Sequence, residues 1–87
     1  MLEVNVDEAV WERLEKIPNP DKRRIEQAIY DLEDKVNLLD IKKLQGQSGY
    51  HMRVGKWRIL MDMDRENNTI FVYNLASRGE IYKSKNL

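Results

Sequence analysis

The sequence predicts a small α+β domain: an N-terminal strand, an antiparallel helix hairpin, then a three-stranded antiparallel meander. Three observations carry this. Apolar residues recur at helical spacing from Val10 to Val36. The apolar period changes to two from Tyr50 onward. Between the two regions stands Gln45-Gly46-Gln47-Ser48-Gly49, a cluster of turn residues. The chain has 87 residues, so these elements are expected to share one domain spanning 1–87.

Leu2-Glu3-Val4-Asn5-Val6 alternates apolar and polar residues, the pattern of a short strand. Asp7 can cap the helix that follows, with Glu8 in its first turn. Val10, Leu14 and Ile17 form its apolar stripe, flanked by Trp11, and Pro18-Asn19-Pro20 ends it. Asn19 suits the N-cap of a second helix, and Pro20 its first position. Ile25, Ala28, Ile29, Leu32 and Val36 extend that stripe over about four turns. The short Pro-rich link folds the two helices into a hairpin. Residues 37–49 read as a loop that Ile41 and Leu44 anchor to the core.

Residues 50–54 and 57–63 read as strands joined by a two-residue type II′ turn at Gly55-Lys56. Arg65-Glu66-Asn67-Asn68 makes the next turn, and residues 69–76, rich in β-branched and aromatic side chains, the third strand. A polar tail, 77–87, follows. The helices need one apolar sheet face. Tyr50, Met52 and Val54, with Trp57, Ile59, Met61 and Met63, supply it. Phe71 and Tyr73 alternate with Ile70 and Val72, and the pattern does not say which pair faces inward.

Composition narrows the function classes. Hydrophobic residues make up 41% and charged residues 34%, a globular balance. There is no cysteine, which excludes disulfides and thiolate metal sites. No apolar run approaches the ~20 residues of a membrane helix, and no basic start precedes an apolar stretch. Cytoplasmic residence is expected. The net charge is zero but unevenly spread: residues 1–40 hold eleven acids and six bases, residues 41–87 four acids and nine bases. A basic C-terminal half can present a cationic patch on a neutral protein.

Alternation sends His51, Arg53 and Arg58 to the face away from the helices. One arginine on an open sheet face is ordinarily just solvated. Their coincidence on neighbouring strands across a tight turn, with Arg78 and Tyr82 soon after the last strand, points to an anion site.

Leu44-Gln45-Gly46, then Tyr50-His51-Met52-Arg53-Val54-Gly55-Lys56-Trp57-Arg58-Ile59-Leu60, then Arg78-Gly79-Glu80-Ile81-Tyr82 follow in an order that resembles the RelE/ParE superfamily of toxins from type II toxin–antitoxin systems. The likeness is strongest to RelE-type mRNA interferases and covers almost the whole chain. It implies a RelE-like two-layer fold and a cognate antitoxin as partner. For RelE-type members it implies ribosome-dependent cleavage of mRNA in the A site. ParE-type relatives share the fold and act on DNA gyrase by binding. A degenerate, non-catalytic member is the third possibility. The Arg58, Arg78 and Tyr82 set favours the first reading, and the neutral charge favours the other two. Carried across, Arg53 and Arg58 match strand positions that contact the scissile phosphate. Arg78 matches the basic position of the closing block, and Tyr82 matches the tyrosine proposed as general base. His51 stands where the best-known RelE-type enzymes have lysine. Lys43, Arg53, Lys56 and Lys83 are the cations expected to hold RNA.

RNA can be cut by in-line attack of its own 2′-OH, a route that requires neither metal nor cofactor. Arginine forks suit the phosphate oxygens. Arg58 is expected on the scissile phosphate, with Arg53 beside it and Arg78 on the leaving side. A free phenol is only about 0.1% ionised at neutral pH, and adjacent arginines would raise that to about 1–10%. Resemblance thus ranks Tyr82 first as base, with His51 second. Ordinary acid–base chemistry favours His51, whose reference pKa needs no shift.

Overall fold

β1 (Glu3–Val6) leads through Asp7 into α1 (Glu8–Glu15) in the computed structural model, which describes residues 2–77. Asp7 is extended and its Oδ1 accepts a hydrogen bond from the Ala9 amide at 3.0 Å, satisfying one of the donors a helix start leaves open. Val10 and Leu14 bury the helix face one turn apart, and Ile17 is buried just beyond its end.

The start and the end of α2 (Asp21–Asp31) both depart from the sequence expectation. Asn19 does not cap it. The Asn19–Pro20 peptide is cis, and Pro20 occupies the cap position with no side-chain cap bond. Asp21 instead places a carboxylate against the positive end of the helix dipole. The helix also stops at Asp31 rather than reaching Val36. Leu32 is still buried, but Val36 packs against the core from a 3-10 turn, Val36–Leu38. The Glu33 carbonyl accepts from the Leu2 amide at 2.9 Å, tying this corner to the start of the chain. An apolar residue four positions on satisfies a turn as well as a helix, so periodicity overran the true end.

The remaining elements are β2 (Ile41–Lys43), β3 (Tyr50–Val54), β4 (Trp57–Asp64) and β5 (Thr69–Ser77). The meander β3–β4–β5 forms as expected, and Gly55 has φ 60 while Lys56 keeps negative φ, the pattern of a type II′ turn. The sheet is wider than expected, with order β1-β5-β4-β3-β2. β1 lies parallel to β5, Val4 opposite Ile70. β2 arises within the expected loop and runs antiparallel to β3, Ile41 opposite Met52. Three residues are too few to show alternation, so this strand is defined by its partner and not by its own pattern. Leu44 is buried, as its anchoring role required.

α1 packs on β5 and α2 on β3. Their apolar faces meet Met52, Ile59, Met61, Ile70, Val72 and Leu75, all at most 1% exposed. No helix among the described residues is long and apolar enough to cross a membrane. The β4–β5 register shifts between Leu60, opposite Asn74, and Met61, opposite Val72, which leaves Tyr73 as an extra residue in β5. This bulge explains why both Val72 and Leu75 face the core although they are three positions apart.

Gly49 has φ 106, and a Cβ there would meet Asp62 Oδ1 at 3.1 Å and the Met61 carbonyl at 3.2 Å. Gly49→Ala is therefore expected to destabilise the fold by about 1–3 kcal/mol, measured by urea denaturation.

Candidate active site

The face of the sheet away from the helices is organised in rows by the strand register. In one row Arg53 of β3 stands opposite Arg58 of β4, which stands opposite Ala76 of β5. The adjacent row runs Lys42, His51, Leu60 and Asn74 across β2 to β5. Side chains directly opposite in a ladder have Cβ atoms about 5 Å apart. Lys42, His51, Arg53 and Arg58 are thus brought together on one patch by three strands.

Facing like charges repel, and the surroundings offset this. The Asp40 carboxylate, just ahead of β2, accepts from Arg53 Nε at 2.7 Å. The Asp40 carbonyl accepts from the Arg53 amide at 2.9 Å. The guanidinium beside it holds the Asp40 carboxyl below its usual range. Arg58 folds back over the turn, its Nη1 donating to the Gly55 carbonyl at 3.1 Å and the Trp57 carbonyl at 2.9 Å. A guanidinium carries five donors. The described hydrogen bonds engage neither Nη group of Arg53 and leave Nη2 of Arg58 uncommitted.

His51 responds to this environment. Partial burial, then the Arg58 and Arg53 charges, push its imidazole below its ordinary value, against a smaller opposing pull from Asp40. The shift favours the neutral imidazole, in which one ring nitrogen can take a proton.

The other expected site residues fall differently. Lys43 is opposite Tyr50 and so takes the helix-side register of its strand. Its neighbour Lys42, which the sequence reading passed over, is the lysine that shares a row with His51. The signal existed only once residues 41–43 were known to be a strand. Lys56 sits in the exposed turn with Nζ 6.0 Å from the Trp57 ring centroid. Arg78, Tyr82 and Lys83 lie outside the described residues. Asp40 was also missed, because a carboxylate thirteen positions from Arg53 shows no local spacing signal.

Trp57 faces the helices, as alternation predicted. Its Nε1 donates to Asp21 Oδ2 at 3.0 Å, and the Arg13 guanidinium lies 6.0 Å from the ring centroid. Trp57→Phe is expected to cost about 1–3 kcal/mol of stability through the lost bond to Asp21, measured by thermal melting.

A strand, a helix pair and a meander with a parallel N-terminal edge strand make up a RelE-like fold. The archaeal RelE–RelB complex from Pyrococcus horikoshii matches it with TM-score 0.75 at 24% identity, over 90% of this chain and 96% of that one. The RelB–RelE antitoxin–toxin complex from Methanococcus jannaschii gives 0.72 at 24% identity, over 92% and 96%. The isolated E. coli RelE toxin gives 0.65 at 17% identity, over 98% and 95%. No family model matches the sequence, and no curated protein matches it significantly. At these identities the likeness establishes the fold.

Proposed function

We propose that the protein is the toxin of a type II toxin–antitoxin system and cleaves mRNA on the ribosome. The observation that carries this is the patch itself: two arginines, a lysine and a histidine on the open sheet face of a RelE-like fold. Arg58 and Arg53 would hold the non-bridging oxygens of one phosphate and stabilise the charge that grows there. His51 would take the 2′-OH proton as the 2′ oxygen bonds to phosphorus. The bond to the 5′ oxygen breaks, and that oxygen leaves with a proton from a general acid or water. The products are a 2′,3′-cyclic phosphate and a 5′-hydroxyl. This assigns the base to His51, supported by its position and by the shift toward its neutral form, with Tyr82 as the competing assignment.

A cognate antitoxin is the expected protein partner, as several of the similar structures are toxin–antitoxin complexes. A groove along α2, lined by Pro20, Arg23, Ala28 and Leu39 and next to the exposed Leu38, offers an apolar seat for an amphipathic helix.

The test is cleavage of mRNA by purified protein on programmed ribosomes, mapped at the A-site codon, beside a gyrase supercoiling assay. Codon-dependent fragments with cyclic phosphate ends support the proposal. Intact mRNA with inhibited supercoiling would replace it by a ParE-like binding activity. Inactivity in both assays would point to a non-catalytic member of the same fold.

A further inference from the structure

The outer sheet face changes chemistry along the strands. Next to the cationic rows, β5 carries Tyr73 at its bulge and then Phe71, 41% exposed. Phe71 stands between Asp62 of β4 and Asn5 of β1, and the last row holds Asp64, Thr69 and Glu3. The bulge re-aims the chain here, as bulges do. Tyr73 is not part of the apolar core cluster. Its phenol is raised by partial burial and, less, by the Asp62 charge. Tyr73 is three positions from Ala76 in the arginine row, and Phe71 five, so the rings begin about 10 Å from the phosphate grip. That is the reach from one phosphate to the neighbouring bases of an extended single strand.

We infer that Tyr73, Phe71 and Asp62 form a nucleobase platform that seats a base of single-stranded RNA flanking the phosphate held by Arg58, and that Asp62 selects bases bearing an exocyclic amine. The inference rests on the RNA-cleaving reading above. Every base has a π-face that an aromatic ring can stack on. A carboxylate accepts from the N4 amine of cytosine or the N6 amine of adenine and finds no such donor on uracil at that position. The charges at this end also set polarity. Asp62, Asp64 and Glu3 repel phosphate, so a base rather than backbone occupies the aromatic end, and the linkage stays over Arg53 and Arg58.

The experiment measures fluorescence anisotropy of the full chain with labelled, uncleavable 2′-O-methyl hexacytidylate and hexauridylate. The parent is expected to bind the cytidylate about fivefold or more tighter. Phe71→Ala should weaken the cytidylate about tenfold. Asp62→Asn should reduce the cytidylate preference toward unity. Arg58→Ala should weaken both oligonucleotides alike and flatten the salt dependence. Equal binding of the two sequences, or Phe71→Ala matching the parent with an unchanged circular-dichroism melt, overturns the platform. The phosphate grip then survives if Arg58→Ala still weakens binding. No binding of either oligonucleotide overturns both.

Discussion

Under the proposed mRNA cleavage, Arg58→Ala is expected to lower the single-turnover rate by about 10²–10³-fold, the usual cost of deleting one donor from a site that stabilises transition-state charge. The expectation comes from placement. Arg58 is central in its strand row, between Arg53 and Ala76, and two carbonyls of the turn hold its Nη1. Those bonds fix the guanidinium before substrate arrives and leave the other half of the fork for phosphate oxygens. Arg58→Lys should recover little, because an ammonium cannot make both the turn contacts and a forked phosphate contact. The variant should fold normally, since Arg58 lies outside the apolar core. Cleavage by Arg58→Ala within a fewfold of the parent would remove this residue from the phosphate site.

The second large effect belongs to His51. His51→Ala should reduce cleavage by about 10²-fold or more, the scale of a positioned general base. The pH profile makes the test sharper. A base acts in its deprotonated form, so the rate rises with pH through the imidazole pKa and then levels. That pKa is pushed below 6.5 by burial and by Arg58 and Arg53. The midpoint of the rise should therefore lie below pH 6.5. A tyrosine base predicts the opposite: a phenol titrates near 10 in water, so the rate would keep climbing into the alkaline range. Tyr82→Phe completes the comparison. A flat profile above pH 7 together with an active Tyr82→Phe assigns the base to His51. A rate still rising at pH 8.5, lost in Tyr82→Phe, assigns it to Tyr82. Asp40 adds a check on electrostatics. Its charge opposes the depression of the histidine, so Asp40→Asn should move the acid limb of the profile to lower pH.

Much of the fold was legible because its signals are local. Asp7 caps α1 through a bond to an amide two residues away, and the Val10 and Leu14 spacing needs only one helical turn. Gly55 permits the turn φ whatever the rest of the chain does. The alternation of His51 and Arg53 against Met52 follows from the pleat alone. The failures share a non-local origin. Nothing within Ile41-Lys42-Lys43 marks a strand, because its ladder partner begins seven residues later at Tyr50. That Lys42 shares the His51 row and Lys43 the Tyr50 row was not legible for that reason: a residue's face is undefined until its pairing is known. The end of α2 was misplaced because the apolar spacing of Leu32 and Val36 continues across a turn.

Local pattern in the sequence was enough for the facing along β1, α1, β3 and β4, and hence for the α+β layout and the side on which His51, Arg53 and Arg58 stand; it did not settle β2 or β5. Those properties depend on neighbours a few positions away and on fixed backbone periods. Only the tertiary structure decided which strands lie side by side. The β2–β3 register set Lys42 beside His51, the Asp40 corner gave Arg53 its carboxylate, and the β4–β5 register set Phe71 opposite Asp62. Each of these joins residues from separate segments, and their meeting is fixed by the packing of the whole sheet against its helices, a constraint that no single window of sequence contains.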